Sequence, residues 1–389
     1  MNKVYDAVVV GAGVIGTSCA YHLVKKGFKV ALVDATDVAR QTSSHCDGVA
    51  LIVDKMPGVD AALGYASIQR FKELTSELSY DFEFHNRGSM YACETDEEME
   101  IATNYANSLK ADGYRVNVMS QTEMSEREPF LAKDLKGGIF SEECCGINPF
   151  RLCFAFVEEV RGKGLDVYAN TSVTGIKVGS KNEIEAVETT QGVLKTNKIV
   201  NCAGVWAPKL GEMVGLNIPI LPRKGVILIS AASFPFCHQK VQEFGYMVSK
   251  FDDIKCERDP ELEKYNVAFT IEPSAGNNVL IGSSRNFHGY DVNAELELIQ
   301  TIAKRAVRFY PILSELNCVR SYAGVRPFME DHLPLITQVD EVPGYYIAAG
   351  HEGDGISMSP TTGRLISEML AGETPYMDVT PFSFNRYKK

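Results

Sequence analysis

The feature that most constrains this chain lies at its start. The β-branched run Asp6–Val10 reads as a buried parallel strand and leads directly into Gly11-Ala12-Gly13-Val14-Ile15-Gly16. Thr17–Lys26 reads as a helix, with Ala20, Leu23 and Val24 on one face and Gly27 as its stop. Phe28–Val33 is a second strand, and it finishes at Asp34, 18 residues after Gly16. A G-x-G-x-x-G alone is a weak signal. Placed between a strand and a helix, with an acid closing the next strand, it marks a dinucleotide-binding βαβ unit. Gly11 permits the tight turn, Gly13 lets the backbone approach a pyrophosphate, and Gly16 lets the helix pack close to the sheet. Asp34 is placed to accept hydrogen bonds from ribose hydroxyls. The helix N-terminus offers free N–H groups and a positive dipole end to phosphates.

Only one such fingerprint is present. Gly350-His351-Glu352-Gly353-Asp354-Gly355 has the wrong glycine spacing and comes too late. A nicotinamide enzyme that also held a flavin would need two sites, so a single dinucleotide at the N-terminal unit is expected. The formal charge of −11 argues against nucleic acid and against an anionic membrane surface, since both need a basic face. The stretch Ala7–Val24 is broken by glycines and carries His22, so no membrane span is expected, and with no secretion signal the cytoplasm is. None of the ten cysteines is spaced C-x-x-C, which leaves reduced, mostly buried thiols and no metal site.

Further along, Ala62–Leu78, Asp96–Ala111, Phe150–Lys163, Glu295–Tyr310 and Thr361–Leu370 read as helices. Asp166–Val178, Glu183–Thr190, Lys198–Asn201, Val226–Ser230, Val279–Gly282 and Tyr345–Ala349 read as strands.

At this point the sequence resembles the FAD-dependent amino acid oxidoreductases related to D-amino acid oxidase. Within them it is most similar to the subgroup of glycine and sarcosine oxidases, hydrogen cyanide synthase subunits and D-proline or D-hydroxyproline dehydrogenases. Beyond the fingerprint, several segments carry the resemblance. They are Gln41–Gly48, Gly146-Ile147-Asn148-Pro149, Lys198–Ala207, Asn278–Ser284, Tyr322–Pro327 with Asp331 and Pro334, and Gly350–Gly363. The resemblance implies a mixed fold: a Rossmann-like α/β FAD-binding domain and an α+β substrate domain around an antiparallel sheet. The FAD domain is expected from residues 1–84, 141–215 and 321–389, and the substrate domain from 85–140 and 216–320.

It also implies FAD as cofactor. The contacts expected are Gly11, Gly13, Val14, Ile15, Gly16, Asp34, Ala35, Thr42, Ser43, Ser44, His45, Gly48, Val173, Cys202, Ala203, Gly204, Trp206, Gly350, Gly353, Asp354, Gly355, Ile356 and Ser357. Some dimethylglycine-dehydrogenase-like relatives bond FAD covalently through a histidine near the position of His45. The neighbours differ here, so a polar contact and non-covalent FAD are expected. Arg326 matches the family's carboxylate-binding arginine, whose planar fork pairs with both oxygens. Tyr246 and His351 complete the expected catalytic set. Glycine oxidase has a second substrate arginine where this chain has Gly353, and Leu280 stands where sarcosine oxidase keeps a lysine over the flavin.

The expected activity is oxidation of the C–N bond of a small cyclic or N-substituted amino acid, D-proline-like or D-hydroxyproline-like, by a dehydrogenase. A glycine- or sarcosine-type oxidase and a flavin-holding subunit of a hetero-oligomer are the rival readings. The electron acceptor, and the choice between homo- and hetero-oligomer, stay open.

Overall fold

The structure, a computed structural model, describes residues 3–251 and 254–388. Its N-terminal unit follows from the local pattern. Ala7–Val10 pairs in parallel with Val30–Val33, and the helix Val14–Lys25 crosses between them. All eight strand residues are buried, as a parallel strand covered on both faces requires. Ala7, Val9 and Leu32 face a core shared with the helices Val14–Lys25, Pro149–Val160 and Gly355–Leu370. Val8, Val10, Ala31 and Val33 face the opposite way, onto Ile184, Val187 and Leu194 of a four-stranded sheet.

The unit belongs to a six-stranded sheet. Its order is Leu335–Gln338, Tyr345–Ala349, Ile199–Asn201, Ala7–Val10, Val30–Val33, Leu165–Tyr168. Only the first pair is antiparallel. A second sheet has eight strands, ordered Cys318–Phe328, Leu221–Ser230, Val279–Gly282, Thr270–Pro273, Lys240–Glu243, Ser89–Cys93, Gly137–Ser141, Asn117–Ser120. It is antiparallel except where Lys240–Glu243 runs parallel to Ser89–Cys93. The helix Leu296–Phe309 buries Leu298, Ile302, Ala306 and Phe309 in the core on this sheet.

Three departures from the sequence reading have physical causes. The single strand expected over Asp166–Val178 is two strands in different sheets, Leu165–Tyr168 and Val173–Val178, with Asn170 between them at a φ of 50°. The helix expected from Thr361 starts at Gly355 and carries Pro360 inside it. Proline has no N–H to give the Ile356 carbonyl, and the Ser359 hydroxyl donates to that oxygen instead, at 3.0 Å. The strand Cys318–Phe328 straddles the boundary expected at 321, and its whole length is hydrogen-bonded to Leu221–Ser230 in the larger sheet. Arg326 therefore stands on that sheet, opposite Arg223.

Among the described residues no helix is long and apolar enough to cross a membrane. All ten cysteines are free thiols.

Candidate active site

A cavity of about 460 Å³ opens where Val10 and Val33, the ends of the first two parallel strands, meet the larger sheet at Gly225, Ile227, Thr270, Leu280 and Gly282. That size is ordinary for a small-molecule or cofactor site. Its floor is the fingerprint. Gly11 has a φ of 105°, and a Cβ there would lie 2.4 Å from the Cys202 carbonyl oxygen. The turn is thus closed to any side chain. Val14 N–H donates to Ser43 Oγ at 3.0 Å, so the serine-rich loop is seated on the first turn of the helix. Thr42 Oγ1 donates to the Val325 carbonyl at 2.7 Å and ties the same loop to the strand of Arg326.

Most of the expected cofactor contacts converge on this one cavity. Gly11, Gly13, Val14, Ile15, Asp34, Ala35, Thr42, Ser43, His45, Val173, Cys202, Ala203, Gly204, Trp206, Gly350, Gly353, Gly355 and Ile356 all line it. Asp34 is itself held: Oδ2 accepts from Ala12 N–H and Oδ1 from the backbone and hydroxyl of Thr36. The His45 ring nitrogen Nδ1 is 2.7 Å from the Gln41 carbonyl, and its ring meets Tyr322 edge-on.

Five expected contacts lie elsewhere, each for a visible reason. Gly16 packs on the turn behind the cavity, where a Cβ would sit 1.8 Å from the Gly11 carbonyl oxygen. Ser44 turns back to the Gln41 carbonyl. Gly48 lies against the Ile147 carbonyl oxygen, 1.9 Å from where a Cβ would be, and its N–H donates to the Glu272 carboxylate. Asp354 pairs with two buried lysines, Lys55 at 2.5 Å and Lys250 at 2.9 Å. With Ser357 and Gln242 it lines a separate polar chamber of about 20 Å³ that borders the main cavity at Asp47, Tyr246 and Gly353.

The expected catalytic residues share the cavity wall. Arg326 Nη1 donates to the Ser284 carbonyl at 3.0 Å and Nη2 to Ser283 Oγ at 2.9 Å. Both partners are neutral, so the charge is oriented without being spent on an ion pair there. The guanidinium lies on Gly225, where a Cβ would stand 2.3 Å from Nη1. Tyr246 carries the Arg285 guanidinium over its ring at 3.9 Å from the centroid. His351 is buried, its Nε2 is 2.9 Å from Thr362 Oγ1, and burial pushes its pKa down to about 3. With its pKa so low it is a neutral imidazole near neutral pH, one ring nitrogen bearing hydrogen, and it anchors the loop to the helix Gly355–Leu370.

The sequence reading assigns no partner to the charged groups around them. Glu352, with a φ of 47°, accepts from Arg223 at 3.0 Å and lies 3.8 Å from Arg285 Nε. Burial alone would raise its pKa, but Arg285 and Arg223 hold it below the ordinary value. Lys240 and Asp47, paired with each other, also line the cavity. No local pattern announces any of them, because each partner is far away in the chain.

The arrangement suits a dinucleotide: a glycine turn closed to side chains, a helix N-terminus, and a wall whose far side holds an arginine. Residues 6–369 match the FAD dependent oxidoreductase family. Hydrogen cyanide synthase subunit HcnC of Pseudomonas aeruginosa is 30% identical, over 100% of this chain and 97% of that protein. Glycine oxidase of Geobacillus kaustophilus is 26% identical, over 100% of this chain and 98% of the other. The crystal structure of glycine oxidase from that organism superposes with a TM-score of 0.88 over 100% of both chains, at 25% identity. The fold of L-proline dehydrogenase from P. horikoshii superposes with a TM-score of 0.89 at 22% identity, over 100% of this chain and 99% of that one. By a match that spans nearly its whole length, this chain belongs to the FAD dependent oxidoreductase family, and its cofactor is FAD.

Proposed function

We propose that the protein is an FAD-dependent dehydrogenase of a small cyclic or N-substituted amino acid, D-proline-like or D-hydroxyproline-like. Arg326 carries the reading. It stands on the wall of the cavity that holds the fingerprint, half-buried and bonded to neutral groups, and is therefore available to an anionic ligand. A carboxylate entering such a site loses water, which is costly unless a cation meets it. FAD, when bound, supplies the acceptor for a hydride leaving the carbon beside nitrogen. The chain's own residues bind and orient. Arg326 takes the carboxylate, and the pocket wall of Leu280, Ile227 and Tyr246 borders the rest of the substrate. Gly355 and Ile356 open a 16-residue helix on the cavity, whose positive end favours negative charge developing there.

The choice of dehydrogenase rests on Leu280, which is apolar, and on Lys240, whose ammonium is engaged by two carboxylates, Asp47 and Glu272. Neither offers a free cation to promote reaction with oxygen. Likeness to glycine oxidase in sequence and structure favours the second reading, an oxidase that makes peroxide. HcnC is a subunit by name, and a flavin-holding subunit is the third. Free thiols suit a reducing compartment, and the reading keeps the protein in the cytoplasm.

Anaerobic mixing of the FAD-loaded protein with a panel of amino acids decides among these. Bleaching by proline-like acids, with dye reduction far faster than peroxide formation in air, is expected. Peroxide at a comparable rate favours the oxidase, and a flavin that no amino acid bleaches favours the subunit.

A further inference from the structure

We propose that Asp47, held by Lys240 and backed by Glu272, is the subsite for the ammonium group of the substrate. The assignment rests on the amine-oxidising function proposed above and names which residues read the nitrogen.

The observation behind it is a charge count. Lys240 and Glu272 stand opposite each other on adjacent antiparallel strands, by the register that pairs Val241 with Ile271. Lys240 Nζ bonds to Asp47 Oδ2 and lies 3.6 Å from Glu272 Oε2. The Glu272 carboxylate also accepts Gly48 N–H, so the loop of Asp47 and the strand of Glu272 are held together. Two carboxylates thus surround one ammonium. A purely structural buried pair balances its charges, because an uncompensated buried charge is expensive. Here the two carboxylates share one ion-pair partner, Lys240, and the cation that answers the second is Arg326, which makes no ion pair with them and stands at the cavity rather than in the core. Lys240 and Asp47 both line the cavity, but the Lys240 side chain is 3% exposed and that of Glu272 11%, whereas Asp47 is 31% exposed.

The excess faces the correct partner. Arg326 lines the same cavity and acts on the charge of Asp47, helping Lys240 to hold its carboxyl below the ordinary value against the effect of burial. A site with a guanidinium on one side and a surplus carboxylate on the other is complementary to a zwitterion. It binds an amino acid better than the matching carboxylic acid, and its selectivity for amine comes from Asp47.

Glu272 sets when the surplus exists. Burial pushes its pKa up to about 7. Below that pH the cluster is neutral; above it the cluster carries one negative charge. Ammonium binding should therefore tighten as pH rises through neutrality. The other groups facing the cluster are Lys240 and Tyr246 from one side, Tyr322 and Arg326 from the strand Cys318–Phe328, and Cys46 beside Asp47. Burial raises the pKa values of Cys46 and Tyr322, and Lys240 is held above its ordinary value, so these three do not titrate between pH 6 and 8.

The test uses the FAD-loaded protein and two probes with one carbon skeleton, 2-aminoisobutyrate and isobutyrate. The first has no hydrogen on its α-carbon and resists oxidation there; the second lacks the amine. Binding is read from the perturbed flavin absorbance. At pH 8 the wild type is expected to prefer the amino acid by about tenfold or more. Asp47→Asn, nearly isosteric, should reduce that preference to within about threefold while leaving isobutyrate affinity within about threefold of wild type. Glu272→Gln should abolish the tightening between pH 6 and 8, and this second variant decides if the first does not fold. An Asp47→Asn protein that keeps a tenfold preference overturns the assignment, as does a wild type with no preference. If the flavin is bleached by amino acids in either case, the proposed function survives and only the ammonium subsite falls. If no amino acid bleaches it and neither probe binds, both fall together.

Discussion

Gly225 is the bed on which Arg326 lies, and replacing it tests the carboxylate assignment without touching the arginine. It pairs with Gly324 across the strand register, one step from the Lys224–Val325 pair and two from Arg223–Arg326. A Cβ at 225 would stand 2.3, 2.4 and 2.5 Å from Nη1, Nη2 and Cζ of Arg326. Ordinary contact begins near 3.4 Å, so Gly225→Ala must push the guanidinium about 1 Å away. The arginine tip is flexible and can move, so the fold itself should not suffer. Alanine also loses less chain entropy than glycine in a strand, a gain of roughly 0.5–1 kcal/mol. Misplacing a binding group by ~1 Å costs on the order of 10²-fold in rate, or about 2.7 kcal/mol. We therefore expect kcat/KM for the amino acid to fall by about 10²-fold, with a native flavin spectrum and a melting midpoint no lower than that of the wild type. Arg326→Ala should fall by at least ~10²-fold, and Arg326→Lys, which keeps charge but loses the fork, should lie between. Because Gly225 acts only through Arg326, the double variant Gly225→Ala/Arg326→Ala should be no worse than Arg326→Ala alone. Additive losses, or a Gly225→Ala enzyme with near wild-type kcat/KM, would refute the reasoning.

Two further outcomes follow from the same geometry. Acid precipitation should leave the FAD in the supernatant, as expected of a cofactor held by polar contacts; yellow colour retained in the pellet would make His45, which lines the cavity, a covalent anchor. Asp354→Asn should lower stability by about 3 kcal/mol or more in urea, because it strips one of the carboxylates shared by the buried Lys55 and Lys250. Burial would raise the Asp354 carboxyl, but Lys250 and Lys55 outweigh it and hold it below the ordinary value. Its contribution is therefore present above the unfolded pKa of roughly 3.9 and lost as pH falls through the folded one. Wild-type stability should drop on acidification below about pH 4, and the Asn variant should show a shallower drop; a loss under ~1 kcal/mol at pH 7 would place the Lys55–Lys250 pair on Asp54 alone.

Much of the backbone was legible because its signals are local. The glycine turn, the buried β-branched runs and the helix Asp96–Ala111, capped by Thr95 and acidic in its first turn, depend on neighbours within four residues. Val279–Gly282 and Tyr345–Ala349 were legible as short apolar runs bounded by turn residues. Where a local rule competes with a side-chain repair, as at Pro360 and Ser359, the local rule gives the wrong boundary. The strands Ser89–Cys93, Lys240–Glu243 and Thr270–Pro273 carry no such signal. All are buried almost throughout, so they show no alternation, and Lys240 with Glu272 makes two of them look like polar loops.

The charged wall of the cavity was illegible for a related reason. Asp47 and Lys240 are 193 residues apart, and Arg223 and Glu352 are 129 apart. A lysine in a strand is ordinarily a solvated side chain, and nothing in its neighbours tells otherwise. What converts these residues into a site is sheet register. Lys240 meets Glu272 because Val241 meets Ile271, and Arg326 reaches the cavity beside a glycine because Gly225 meets Gly324. The fingerprint and serine loop bring the cofactor chemistry to one edge of this sheet by local rules. The larger sheet then decides which charges stand over it, and so which molecules this chain oxidises.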